Sequence, residues 1–205
     1  MTGSDPRQFA PAAARNRAPL LEVLRRVLPG GARVLEIGSG SGEHAVFFAA
    51  GMPSIIWRPS DPDPKARASI AAWTAAEIVT NVLAPVDIDV RAAAWGVEGE
   101  APVDALVSLN MVHISPWAAT IGLMAGAGRV VRDGGVLFLY GPFMRDGRHT
   151  APSNESFDAW LKARDPAFGV RDIADVEHAA AAHGFALHEI VDMPANNLSL
   201  VFMKS

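Results

Sequence analysis

Three glycines within five residues, Gly38-Ser39-Gly40-Ser41-Gly42, separate two runs of different periodicity. Ala32-Arg33-Val34-Leu35 before them reads as a strand, and Glu43-His44-Ala45-Val46-Phe47-Phe48 after them reads as a helix. A strand, a glycine turn and a helix form a nucleotide-type binding corner in a parallel α/β sheet. Glycine lets backbone approach a ligand where a Cβ would clash. The same unit also occurs as a structural turn that binds nothing.

The flanking charge narrows the ligand. A phosphate-binding P-loop ends in Gly-Lys-Ser/Thr, whereas Gly42 precedes Glu43. A dinucleotide fingerprint asks for a third glycine where Glu43 stands. A pyrophosphate would also meet the carboxylates of Glu36 and Glu43 at a helix start that should attract anions. A cationic nucleoside without phosphate fits better, and S-adenosylmethionine (SAM) is one. Glu36, Gly38, Ser39 and Gly40 are therefore candidate cofactor contacts.

Length and composition predict one α/β domain over 1–205, large enough to bury a substantial core. Half the residues are hydrophobic, which argues against disorder, and a net charge of -4 argues against a nucleic-acid footprint. No cysteine is present, so there is no disulfide framework and no thiolate metal site, and no metal is expected. This suits a reducing cytoplasm. The start lacks the apolar region of a signal peptide, and no apolar run is long enough to span a bilayer.

The rest alternates as an α/β chain does. An amphipathic helix is expected over 19–28, with 1–30 forming a helix and lid, and strands near 32–37, 55–57, 86–90, 105–109 and 136–140. A polar, turn-rich insertion follows at 141–170, with a short helix near 155–163. A helix over 172–183 and two strands, 185–191 and 198–203, close the chain. The layout predicts a Rossmann-like sheet of seven mostly parallel strands, the last antiparallel, with helices on both faces. That is the class I methyltransferase arrangement.

Asp61 lies about twenty residues past the glycine turn, where such folds place an acid on ribose hydroxyls. It equally suits an Asx turn or helix cap within Asp61-Pro62-Asp63-Pro64. Asp89 is a candidate for the adenine side, or a solvated strand end. Open α/β sheets bind ligands at the carboxyl ends of their strands, so the loop Asn110-Met111-Val112-His113-Ile114-Ser115-Pro116-Trp117 borders the reacting position. Asn110 and Met111 are candidates to line the cofactor. His113 is a candidate to orient an acceptor or take its proton, against the alternative of a structural histidine.

The chain resembles the domain-of-unknown-function 938 family, also called methyltransferase-like protein 26. The resemblance rests on stretches spread over nearly the whole chain. They include Pro11-Ala12-Ala13-Ala14-Arg15-Asn16-Arg17, Glu36-Ile37-Gly38-Ser39-Gly40-Ser41-Gly42-Glu43-His44, Trp57-Arg58-Pro59-Ser60-Asp61 and the 110–117 loop. Tyr140-Gly141-Pro142-Phe143, Pro152-Ser153-Asn154-Glu155-Ser156-Phe157-Asp158 and Met193-Pro194-Ala195-Asn196-Asn197-Leu198 complete it. The resemblance implies a SAM-dependent methyltransferase fold and supplies no substrate.

Methyl transfer from SAM is an in-line displacement, so the protein contributes mainly proximity and orientation. A small molecule or a peptide side chain is the expected acceptor, with no nucleic acid and no membrane as partner. Candidate acceptor-side groups are Arg15, Asn16, Arg17, Tyr140, Ser153, Asn154, Asn196 and Asn197. Asn196-Asn197 also suits a turn, and Tyr140 also suits a plain strand end. The Asn/Asp-Pro-Pro-Tyr motif of many amino-group methyltransferases is absent. Two other readings are a non-catalytic SAM-binding module and a nicotinamide-dependent reductase. The second lacks its lysine, because Met144 stands four residues after Tyr140.

Overall fold

Alternation along the strands divides the core between the two faces of one sheet. A computed structural model describes residues 5–100 and 102–205, so the first four residues of the expected N-terminal lid lie outside the described residues. In chain order the elements are α1 (Pro11–Val27), β1 (Arg33–Ile37), α2 (Glu43–Gly51), β2 (Ile56–Ser60), α3 (Pro64–Ala76), β3 (Val103–Leu109) and α4 (Trp117–Val130). Then come β4 (Val131–Gly141), β5 (Met144–Arg145), β6 (Arg148–His149), α5 (Pro152–Arg164), α6 (Ile173–Ala181), β7 (Phe185–Met193) and β8 (Asn197–Lys204).

The main sheet has six strands in the order β2-β1-β3-β4-β8-β7. β1 to β4 pair in parallel, and β8 runs antiparallel between β4 and β7. Leu35, Leu106, Leu137 and Leu139 pack toward α4 and α6, together with Leu123, Met124, Val176 and Ala180. Their neighbours Val34, Val107, Phe138 and Tyr140 pack on the opposite face toward α1 and α2, with Leu20, Leu24, Phe48 and Ala49. Period-2 alternation on strands buried on both sides thus makes one core above the sheet and one below.

Three expectations change. The first helix begins at Pro11, not near 19, and carries Pro19 inside it. Pro11 occupies the first turn, where a missing N–H costs nothing, and buried Ala13 and Asn16 extend the face of Leu20, Leu21 and Leu24. The final helix is shorter than 172–183 and is capped by the Asp172 side chain, which accepts from Ala174 N.

The strand expected at 86–90 does not form. Chain from 82 to 86 instead runs beside β2 and meets it only at two isolated parallel bridges, Trp57 to Val82 and Ser60 to Val86. Pro59 explains the break. Its carbonyl accepts from Val86 N on that side, but it has no N–H to donate there. Pro85 removes a second donor from the opposing segment. The seventh strand is therefore reduced to a ragged edge, a form that also discourages pairing with other chains.

The insertion is ordered around the β5–β6 hairpin and α5. Arg171 fastens it to the loop after β3. The Arg171 guanidinium donates to the carbonyls of Val112 and Ser115 at 3.0 and 2.7 Å, and Gly169 N donates to His113 O at 2.9 Å. The loop and the insertion consequently face each other over the strand ends.

Candidate functional site

The glycine turn is built by stitching β1 to β2. Ser39 N donates to Ser60 O at 2.9 Å, Ser60 N donates to Ser39 Oγ at 3.1 Å, and Ser60 Oγ donates to the Glu36 carbonyl at 2.6 Å. Gly42, at φ 89°, begins α2 and lies so close to α3 that a Cβ would stand 2.7 Å from Ile70 Cα. Only glycine satisfies both the left-handed backbone and that approach.

Glu36 and Glu43 turn away from the ligand side, which corrects the charge argument made from sequence. Glu36 is 2 % exposed and its Oε2 accepts from Ser39 Oγ at 2.9 Å and Trp57 Nε1 at 3.0 Å. Burial pushes its carboxyl up to about 7, although those two hydrogen bonds favour the charged form. Glu43 accepts from Ala10 N at 2.6 Å and Ser41 Oγ at 2.9 Å, fastening the N-terminal segment to α2. Sequence could not reveal this, because one partner of each acid, Trp57 and Ala10, comes from a distant segment.

A cleft of about 370 Å³ opens in front of the turn. Gly38, Gly40 and Asp61 form one side, and Ile88, Asp89 and Met111 form another. Asp61 Oδ2 accepts from Gly40 N at 3.0 Å and Oδ1 accepts from Asp63 N at 2.9 Å. Its Asx-turn role is therefore real, yet the carboxylate still borders the cleft with lone pairs to spare. The helix cap itself is Asp63, which accepts from Lys65 N. Asp89, half-buried at the cleft wall, is held in the charged form chiefly by its hydrogen bonds from Arg91. Asp61, not the two glutamates, supplies negative charge here, while Asp89 is ion-paired at 2.7 Å to Arg91, which lines the same cleft. Ser39 is buried under the turn and does not line the cleft.

A second cavity of about 690 Å³ lies alongside, and Ile114 and Phe168 line both. Asn110 sits in the left-handed region at φ 62° and lines this larger cavity, while Met111 lines the cleft. Asn110 thus lines the larger cavity and not the cleft in front of the glycine turn. Asn16, Tyr140, Ser153 and Asn154 all reach the same cavity, from α1, β4 and α5. Asn16 Oδ1 lies 2.7 Å from His44 Nε2, and Asn16 Nδ2 donates to Tyr140 Oη at 3.4 Å. Burial lowers His44 to about 4, so its neutral ring donates to Asn16. Burial raises Tyr140, which keeps its own proton for the cavity.

Asn196 stands one step behind the wall, donating to Ser153 Oγ at 3.0 Å, while its carbonyl accepts from Asn154. Asn197 lines the cavity and also closes its turn through the carbonyls of Pro194 and Ala195. Arg15 is exposed, and Arg17 lies over the Phe47 ring at 4.5 Å; neither lines the cavity.

The geometry does not support His113 as an acceptor-facing base. It is 0 % exposed and lines neither cavity. Its Nδ1 accepts from Arg171 N at 3.2 Å, so the proton resides on Nε2, which has no partner. The ring meets Phe143 edge-on at 4.6 Å and presses on the strand end, where a Cβ on Gly141 would be 2.3 Å from Nε2. Burial, then the Arg171 charge, lowers it to about 3. Phe157, Trp160, Leu161 and Arg164 form a wall with no distinctive signal in the sequence. Their spacing of three and four along α5 marks one helix face, but the same spacing describes any core-facing helix.

No group of three or more metal-binding side chains occurs among the described residues, and no helix there is long and apolar enough to cross a membrane.

Solved structures share the fold. An O-methyltransferase family protein from Burkholderia thailandensis aligns with a TM-score of 0.79 and 16% identity, over 95% of this chain and 57% of that one. The S-adenosylmethionine-dependent methyltransferase SibL gives 0.76 and 20%, over 94% and 55%. CalO1, a methyltransferase of calicheamicin biosynthesis in its SAH-bound form, gives 0.74 and 17%, over 92% and 54%. The chain spans just over half the length of these proteins. Its fold is the Rossmann-like fold of class I methyltransferases, with six strands in the sheet and a ragged seventh edge. The family profile described as "Protein of unknown function (DUF938)" matches residues 7–204, and the chain belongs to that family.

Proposed function

We propose that the protein is a SAM-dependent methyltransferase acting on a small molecule or a peptide side chain, in the cytoplasm, with both sites on one domain. One observation carries this reading: two cavities at the carboxyl ends of β1 to β4 meet at Ile114 and Phe168. A cofactor in the cleft and an acceptor in the larger cavity would face each other at that junction.

The cleft residues fit the cofactor chemically. Asp61 beside Gly40 suits ribose hydroxyls, Asp89 with Ile88 and Val90 suits an adenine edge and face, and Met111 with Ile37 gives an apolar floor. S-adenosylmethionine supplies an activated methyl group, as the SAH-bound relative and the fold suggest. The chain then needs to orient and to exclude water. Met111 and Ile114 border the junction with apolar surface, and Asn16 hydrogen-bonds the Tyr140 hydroxyl at the acceptor side. No nucleic-acid or membrane partner is part of the proposal.

Calorimetric titration with SAM, S-adenosylhomocysteine, NAD and ATP tests the reading. S-adenosylhomocysteine is expected to bind at least tenfold more tightly than NAD or ATP. Tighter NAD binding would contradict it and favour the reductase.

A further inference from the structure

The larger cavity contains one charge and no base. Asn, Ser and Tyr side chains supply its polar surface, and no Asp, Glu, His or Lys lines it. The exception is Arg164, which is exposed, makes no ion pair among the described residues, and is held with its guanidinium 4.8 Å from the centre of the Trp160 ring. Trp160 is half exposed and stacks on Phe157 at 5.7 Å with 19° between the planes. The half-exposed Trp160–Phe157 pair, with an unpaired guanidinium over the indole, offers stacking surface and charge to a flat anion. The two nearby histidines offer no alternative, because His44 and His113 are buried, neutral and outside the lining.

Tyr140 adds a donor. With Asn16 donating to its oxygen, the phenol proton is left for an acceptor atom inside the cavity. A cationic group would find no carboxylate here, whereas an anionic group would find Arg164.

Resting on the reading of this cavity as the acceptor side, we propose that the methyl acceptor is a planar aromatic small molecule carrying an anionic group, selected by Arg164 and the Phe157–Trp160 face. Arg164 is a specificity-determining residue. Its planar fork suits a carboxylate bidentately, and Trp160 holds it in place.

The test uses the full chain saturated with S-adenosylhomocysteine and four probes in calorimetry: 2-naphthoate, 2-naphthamide, 2-naphthylmethylamine and cyclohexanecarboxylate. We expect 2-naphthoate to bind at least tenfold more tightly than each of the others. Arg164→Gln should bring naphthoate and naphthamide to within about twofold while S-adenosylhomocysteine affinity stays unchanged, and Arg164→Lys should keep part of the preference. Trp160→Ala should weaken both aromatic probes by a larger factor than it weakens cyclohexanecarboxylate, which loses only the positioning of Arg164. Melting curves establish that each variant is folded. The proposal is overturned if the amide or amine binds as well as naphthoate, if Arg164→Gln keeps the preference, or if no probe binds. Loss of S-adenosylhomocysteine binding in the wild type would instead sink the methyltransferase reading, and the probe ranking is then read without it.

Discussion

Asp61 serves two structures at once. Each of its oxygens already accepts one backbone N–H, from Gly40 and from Asp63, and each retains capacity toward the cleft. Hydrogen bonds to a charged group contribute about 1.5–3 kcal/mol. Asp61→Ala should therefore weaken S-adenosylhomocysteine binding by roughly 10- to 150-fold, with a modest drop in melting temperature from the lost turn contacts. An unchanged dissociation constant in a folded variant would reduce Asp61 to its turn role. Glu36 makes a different prediction. Its folded pKa is raised from 4.5 to about 7, so it favours the folded state when protonated. That contribution is complete below about pH 4.5 and is lost as pH rises through 7. Buried His113 and His44 act in the opposite sense, losing stability as pH falls below about 6.5. The Glu36 contribution therefore shows only as a difference. Relative to Glu36→Gln, the wild type should lose on the order of 3 kcal/mol between pH 4.5 and 7.5, measured by denaturant melts; parallel curves would contradict it. The spacing of Asp61 from the glycines was legible in the sequence. The directions of Glu36 and Glu43 were not, since Trp57 and Ala10 reach them only once the chain has folded.

At the scale of elements, the end of β4 and the loop after β3 fit because position 141 carries no side chain. A Cβ there would meet His113 Nε2 at 2.3 Å. Gly141→Ala should cost about 1–3 kcal/mol by overpacking, and His113→Ala should lower stability by leaving a void. Combining them should cost less than the sum, because the new methyl enters space the ring vacates. Additive losses in denaturant melts would show that the two residues do not press on each other. Neither single change should alter S-adenosylhomocysteine affinity much, in keeping with a packing role for His113. Most strands were readable, because runs such as Leu106-Val107 and Leu137-Phe138-Leu139 are buried on both faces. The failure at 86–90 came from a pairing partner: Pro59 withholds its donor from a segment far along the chain. The early start of α1 was hidden by Pro19, which reads as a boundary but sits inside the helix.

Over the whole molecule, three distant segments meet at the carboxyl ends of the strands. Asn16 from α1, Tyr140 from β4 and Ser153 and Asn154 from α5 gather at one cavity, as the sequence reading grouped them. The segment before α1 is strapped across α2 and α3: Gln8 N donates to Ser69 Oγ, Trp73 Nε1 donates to Gln8 O, and Phe9 meets Trp73 edge-on at 5.2 Å. This positions Asn16, and nothing local in the run Arg15-Asn16-Arg17 separates it from its two neighbours. The direction each α1 side chain takes depends on helix phase, which extends to residues 11–18 because the helix begins at Pro11. The junction at Ile114 and Phe168, which joins cleft to cavity, had no sequence signal, because the two residues are far apart in the chain and ordinary in composition. A crystal structure with S-adenosylhomocysteine bound tests the two-cavity arrangement directly. The ribose hydroxyls should lie on Asp61 and the sulfur should turn toward Ile114 and Phe168, open to the larger cavity. A ribose away from Asp61, or a sulfur sealed from that cavity, would contradict it.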